Sequence, residues 1–136
     1  DKLTQFDKIA INTIVKNHTG EASSCDIEFS EDFEKYNHDY LTYTSQVANS
    51  CMDRDLSEDC MVIGTSAIVD TELEFAGGMY SGIYNNPFII WGKYSKHFFK
   101  YYLNISFQFH HAQMDGMHAA QFLNNLQQMI HTLRVK

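Results

Sequence analysis

One stretch constrains the fold of this chain more than any other: Phe107 to Ile130, reading FQFHHAQMDGMHAAQFLNNLQQMI. It is entered through Leu103, Ile105, Phe107 and Phe109, an alternating run in which every second side chain faces the same way. That two-residue period belongs to a half-buried strand. The run breaks at His110-His111 and passes through Asp115-Gly116. Ala119, Phe122, Leu123, Leu126, Met129, Ile130 and Leu133 then recur three and four apart, which is one face of a helix. Two histidines and an aspartate therefore fall where a strand hands over to a helix. Such junctions combine a rigid scaffold with access from solvent, so chemistry often sits there.

The rest of the chain supplies the partners of that strand. Ile9 to Val15 reads as a strand, and Asn17 to Ser24 as a turn or loop. Ile27 and Phe29 suggest a short extended lead-in to a helix from about Ser30 to about Met52. Ser30 is its expected N-cap, with Glu31, Asp32 and Glu34 in a first turn that suits carboxylates. Asp53 to Asp59 is a polar connector. Cys60 to Phe75 predicts two strands, near 60–64 and 66–75, broken after Gly64. Ala76 to Asn86 is a glycine-rich loop, and Pro87 to Tyr94 the next strand, with Pro87 at its tolerant first position. Ser95 to Lys100 reads as a hairpin connection into a strand over Tyr101 to Phe109. A strand-rich middle flanked by two helices predicts an α+β fold, a mixed or antiparallel sheet with the helices on one face.

At 136 residues the chain has room for one domain, residues 1–136, and one core. With 44% apolar and 20% charged residues it is not a disordered chain. A net charge of -7 leaves no basic stripe for phosphate backbones, which argues against nucleic acid as a partner. No apolar run reaches the roughly 18 residues of a membrane span. Three cysteines without a C-x-x-C pattern fit free thiols in a reducing compartment. Asn17-His18-Thr19 and Asn104-Ile105-Ser106 match the glycosylation sequon, which carries little weight without a signal peptide.

The sequence HHAQMDG over His110–Gly116, followed by Met117-His118 and then LNNLQQ over Leu123–Gln128, resembles the C-terminal signature of chloramphenicol acetyltransferases. More widely, it is similar to coenzyme-A-dependent acyltransferases with an H-x-x-x-D-G motif. Pro87 followed by Gly92-Lys93-Tyr94 is similar to the strand that precedes the histidine motif in that family. The match is most specific from Phe107 to Gln128 and weakens toward the N-terminus. The resemblance implies an acyltransferase-like domain forming the C-terminal portion of a longer chain. It implies acetyl transfer from acetyl-coenzyme A to a hydroxyl of a small molecule, in the cytoplasm, as antibiotic resistance of the chloramphenicol type. It also implies a homotrimer whose active sites lie between subunits.

Residue by residue, the resemblance makes His111 the general base, a task suited to a side chain whose ordinary pKa is about 6.5. Without it, His111 reads more readily as a core or interface histidine satisfied by backbone groups. His110 is positional. Asp115 becomes structural support of the histidine loop, paired in the family with an arginine. The only arginines, Arg54 and Arg134, do not fall at that partner's place, and an Asp-Gly turn capping the helix is a compatible reading. Lys93 and Tyr94 are implied to lie near coenzyme A, the lysine at a phosphate and the ring at the adenine. Two positions depart from the family: Leu73 stands where a serine donates to the oxyanion, and Ile90 where a threonine assists. One lost oxyanion donor costs roughly 100–1,000-fold in rate. Thr71 would restore a hydroxyl if the alignment slips. A catalytically impaired relative serving binding or assembly is therefore the alternative. His110, His111, Asp115 and His118 have metal-ligand types, but the chain turns between them, and no metal is expected.

Overall fold

The structure, a computed structural model, describes residues 4–77 and 86–133. Strands β1 (Ile9–Lys16) and β2 (Ala22–Glu28) form an antiparallel hairpin. The expected loop at Asn17–Ser24 is shorter than its composition suggests, because Lys16 already pairs with Ala22. Asn17 makes the tight turn possible. It is 6% exposed, its Oδ1 accepts the N–H groups of Thr19 and Glu21 and the Thr19 hydroxyl, and its Nδ2 donates to Ser23 Oγ. Gly20, at φ +90, takes the left-handed position that the turn requires.

Helix α1 (Phe33–Ser50) starts two residues later than Ser30 would place it. Asp32 is the N-cap, and its carboxylate accepts from the N–H groups of Glu34 and Lys35 at 3.0 and 3.2 Å. Ser30 instead accepts the Asp32 N–H. Cys51 closes the helix in the left-handed region. The connector after it lies along the free edge of β2: Arg54 N–H bonds Ser24 O, and Asp26 N–H bonds Arg54 O. That covers an edge otherwise open to pairing.

Strand β3 (Met61–Ile68) runs unbroken through Gly64, where two strands were expected. Gly64 pairs with both Asn12 and Phe88, and the Phe88 ring fills the space its side chain would take. Residues 69–75 leave the sheet. They return over β4 (Phe88–Gly92), where a Cβ on Gly92 would sit 2.6 Å from Thr71 O. The predicted strand over Tyr101–Phe109 is divided. Strands β5 (Ser95–His97) and β6 (Lys100–Tyr102) form a separate hairpin, and β7 (Ile105–Gln108) joins the main sheet. Asn104 sits at the break and donates to Leu73 O at 2.8 Å.

The main sheet has the order β2-β1-β3-β4-β7, parallel at β1–β3 and β3–β4 and antiparallel at both ends. With helix α2 (Gly116–Thr132) this is an α+β fold. Directly paired residues share a face, so Ile11, Ile27, Ile63, Ile89 and Phe107 belong to one side. There α1 seals the core of Cys25, Ile27 and Val47, flanked by Val15, Tyr36 and Tyr43. Helix α2 meets the same side, with Phe122 stacked on Phe107 at 4.4 Å. The opposite side carries one rung that crosses all five strands: Asp26, Asn12, Gly64, Phe88 and Gln108.

Candidate functional site

The histidine loop leaves the end of β7 and turns at once. His110 O accepts the N–H groups of Gln113 and Met114 at 2.9 and 3.2 Å. His110 Nδ1 accepts the Ala112 N–H at 3.2 Å, so that ring is committed to shaping the turn. His111 is exposed, and its Nδ1 lies 3.3 Å from Met114 O. A carbonyl oxygen can only accept, so this contact puts the ring proton on Nδ1 and leaves the Nε2 lone pair available.

Asp115 is the N-cap of α2, accepting from the His118 N–H at 3.0 Å, and His118 Nδ1 lies 2.8 Å from the same oxygen. The backbone bond from His118 holds its carboxyl below the ordinary aspartate value. The arginine partner implied by the resemblance is not supplied by Arg54, whose guanidinium bonds Asp26 O and lies 3.9 Å over the Tyr43 ring. Arg134 lies outside the described residues.

Lys93 and Tyr94 follow β4. The Lys93 N–H bonds Thr71 O at 2.8 Å and its side chain is exposed. Tyr94 is 59% exposed and meets Tyr101 edge-on at 5.6 Å. Because β4 and β7 are antiparallel, with Phe88 opposite Gln108 and Trp91 opposite Ile105, Lys93 and His111 leave from opposite ends of the ladder. The three residue steps between those pairs alone span about 10 Å. The structure thus brings His111 and Asp115 into one loop and holds Lys93 and Tyr94 away from them. From Phe75 to Met114 the sequence has lysines at 93, 96 and 100 and no carboxylate. This setting fits the phosphates and adenine of a nucleotide, with the Lys93 amine as point charge and the Tyr94 ring as stacking surface.

Leu73 packs against Gly92, and Ile90 is buried at 8% exposure. Ile90 pairs on one side with Ser66 and on the other with Ser106, so hydroxyls flank it on the same sheet face. Ser106 Oγ accepts the Ala76 N–H at 2.9 Å, which leaves its own hydrogen to donate. Sequence reasoning missed Ser106 and Ser66 because it weighed Ile90 alone. The alternation that puts Ile105 and Phe107 on one face was the signal that puts Ser106 on the other. Among the described residues no cluster of His, Cys, Asp and Glu is arranged to hold a metal, and no helix is long and apolar enough to cross a membrane.

A sequence model of the family described as chloramphenicol acetyltransferase matches residues 1–127. A chloramphenicol acetyltransferase of Clostridium perfringens is 31% identical over 123 residues, which is 88% of this chain and 59% of that protein. One from Clostridium butyricum is 44% identical over 48 residues, 35% of this chain and 22% of that protein. A solved chloramphenicol acetyltransferase structure superposes with a TM-score of 0.70 at 19% identity, over 86% of this chain and 59% of that one, a likeness of fold. The chain spans about 59% of the length of that Clostridium perfringens protein.

Proposed function

Since the chain belongs to the chloramphenicol acetyltransferase family, we propose that it moves an acetyl group from acetyl-coenzyme A to a hydroxyl of a small molecule, with His111 as the general base. The observation that carries this reading is the contact of His111 Nδ1 with Met114 O, because it leaves Nε2 free to accept a proton. The acceptor hydroxyl gives its proton to Nε2 as its oxygen attacks the thioester carbonyl. The tetrahedral intermediate collapses, the carbon–sulfur bond breaks, and the thiolate takes the proton back from Nε2. The products are the acetyl ester and free coenzyme A. Asp115 holds the loop by capping α2. Lys93 and Tyr94 would hold the nucleotide end of coenzyme A by charge and stacking, which leaves the thioester for the base His111. Ser106 is the hydroxyl best set to stand in for those missing at Leu73 and Ile90.

We assign residues 1–136 to one acyltransferase-like domain that acts as a homotrimer in the cytoplasm, where the free thiols of Cys25, Cys51 and Cys60 are stable. The test is thiol release from acetyl-coenzyme A with and without chloramphenicol, for the wild type and His111→Ala. Removal of a general base is expected to slow acceptor-dependent release roughly 100–10,000-fold. Equal release by the variant rejects His111. A second reading, a non-catalytic relative that keeps the fold for binding or assembly, is favoured by Leu73 and Ile90 alone. It gains if coenzyme A binds and no acceptor is turned over.

A further inference from the structure

The hairpin of β5 and β6 is not paired with the main sheet, and it turns on two residues, Phe98 and Phe99, because His97 pairs directly with Lys100. Both rings stand in solvent, 94% and 96% exposed. The turn itself does not ask for them. Phe98 sits at φ +55, a conformation that glycine or asparagine adopts more readily than an aromatic residue. A relaxed turn is given up, and two adjacent apolar rings are put in water. The charges behind the tip are of one sign. Pairing places Lys96 with Tyr101 on one face of the hairpin and His97 with Lys100 on the other, so a lysine backs the rings on each side. From Phe75 to Met114 the sequence has no carboxylate, in a chain whose net charge is -7. Tyr101 and Tyr102, 64% and 50% exposed, follow Lys100 with rings that carry a polar end. The shape narrows the choice of partner. Two phenylalanines bury about 300–500 Å². With a matching surface opposite, that makes about 600–1,000 Å² in total, short of the roughly 1,200 Å² at which stable protein–protein interfaces begin. A lipid surface needs no matching pocket and accepts a convex tip.

We propose that the β5–β6 hairpin is a peripheral anchor for an anionic lipid surface, with Phe98 and Phe99 entering the boundary between headgroups and acyl chains and Lys96 and Lys100 at the lipid phosphates. Phenylalanine suits that depth because it carries no donor or acceptor to leave unpaired. The tyrosines stay at headgroup level, where rings with a polar end are favoured. Each lysine near an anionic surface contributes about fivefold in affinity. At about 0.15 M salt the Debye length is about 8 Å, so the lipid reads the local charge of the tip rather than the net charge of the chain. This is attachment to a surface, not a span across it, and it is independent of the reaction the chain performs.

The test is cosedimentation of the whole chain with vesicles of phosphatidylcholine, pure or with one-third phosphatidylserine. The mixed vesicles are expected to bind at least about tenfold more tightly than the neutral ones. Lys96→Gln with Lys100→Gln should weaken binding to the mixed vesicles by about 20–30-fold. Phe98→Asn with Phe99→Ser should weaken it at least about tenfold, because the apolar area that would leave water is gone, and should keep the far-UV circular dichroism of the wild type. Phe99→Trp reports insertion directly. Its emission, read against a wild type whose one tryptophan is Trp91, should shift to the blue on mixed vesicles. Equal binding to both lipids, binding to neither, or undiminished binding by the double phenylalanine variant overturns the proposal. A loss of self-association in that variant, read by sedimentation velocity, overturns it too, because the tip then meets a second copy of the chain. The comparison of lipids uses the wild type alone, so it decides the matter even if a variant fails to fold.

Discussion

Replacing Gly64 by alanine tests the close approach of β3 and β4 at the middle of the sheet. An ideal Cβ at that position sits 2.2 Å from Phe88 Cδ2 and 2.6 Å from Cε2. Ordinary carbon contacts lie at about 3.5–4.0 Å, so the ring must move by more than about 1 Å. The backbone cannot retreat, because Gly64 is paired with Asn12 on one side and Phe88 on the other. Overpacking of this kind costs about 1–3 kcal/mol. For a chain of this size that lowers Tm by roughly 3–12 °C. Urea unfolding of Gly64→Ala, Phe88→Ala and the double variant measures it as a cycle. If the clash is the cause, the double variant is more stable than the two single losses predict, by about 1 kcal/mol or more. Strict additivity, or a Gly64→Ala cost within about 0.5 kcal/mol, refutes the reasoning.

Asp115 gives a pH prediction with a definite sign. Its folded pKa is depressed by the backbone bond from His118, so its contribution is present above the ordinary aspartate pKa and is lost as pH falls through the folded value. The protection of the His118 amide, its exchange measured against the intrinsic rate at the same pH, should fall on acidification over that window. Asp115→Asn, which still caps but does not titrate, should flatten the profile, and an unchanged profile counts against the cap. Ile27 is fully buried in the α1 core, and Ile27→Ala should cost about 2–5 kcal/mol in urea unfolding. Phe98 is 94% exposed at φ +55, and Phe98→Asn should fall within about 0.5 kcal/mol or stabilise slightly, because asparagine tolerates that conformation. A larger loss at Phe98 would mean that the hairpin tip is packed against something.

The strand-to-helix handover at His110–Gly116 was legible because two periods meet there, and the structure has β7, a turn and α2 in that order. The α1 helix was legible from its spacing, but its cap was misjudged. Ser30 and Asp32 are both good caps, and only tertiary position decides that the carboxylate reaches Glu34 and Lys35. Gly64 misled as a breaker because its reason lies in another strand: the Phe88 ring needs the room. The division of Tyr101–Phe109 was hidden because alternation continues across Asn104, whose bond to Leu73 O is not local. Around the histidine motif, the grouping of His111 and Asp115 in one loop was readable from local sequence. The Asp26–Asn12–Gly64–Phe88–Gln108 rung was not, because its members are brought together by register alone.

That rung also acts as a registration mark for the sheet. Side chains alternate between faces, so a slip of one residue in β1 or β2 would turn Asn12 or Asp26 toward the helix side and Thr13 or Cys25 away from it. The wrong pairing would thus strip the core beneath α1 and leave an amide or a carboxylate buried under it without its partners, and both errors are expensive. The polar rung and the apolar core therefore proofread one another: each is assembled only when the other is. Variation on the face opposite the helices is confined to side chains that keep this parity.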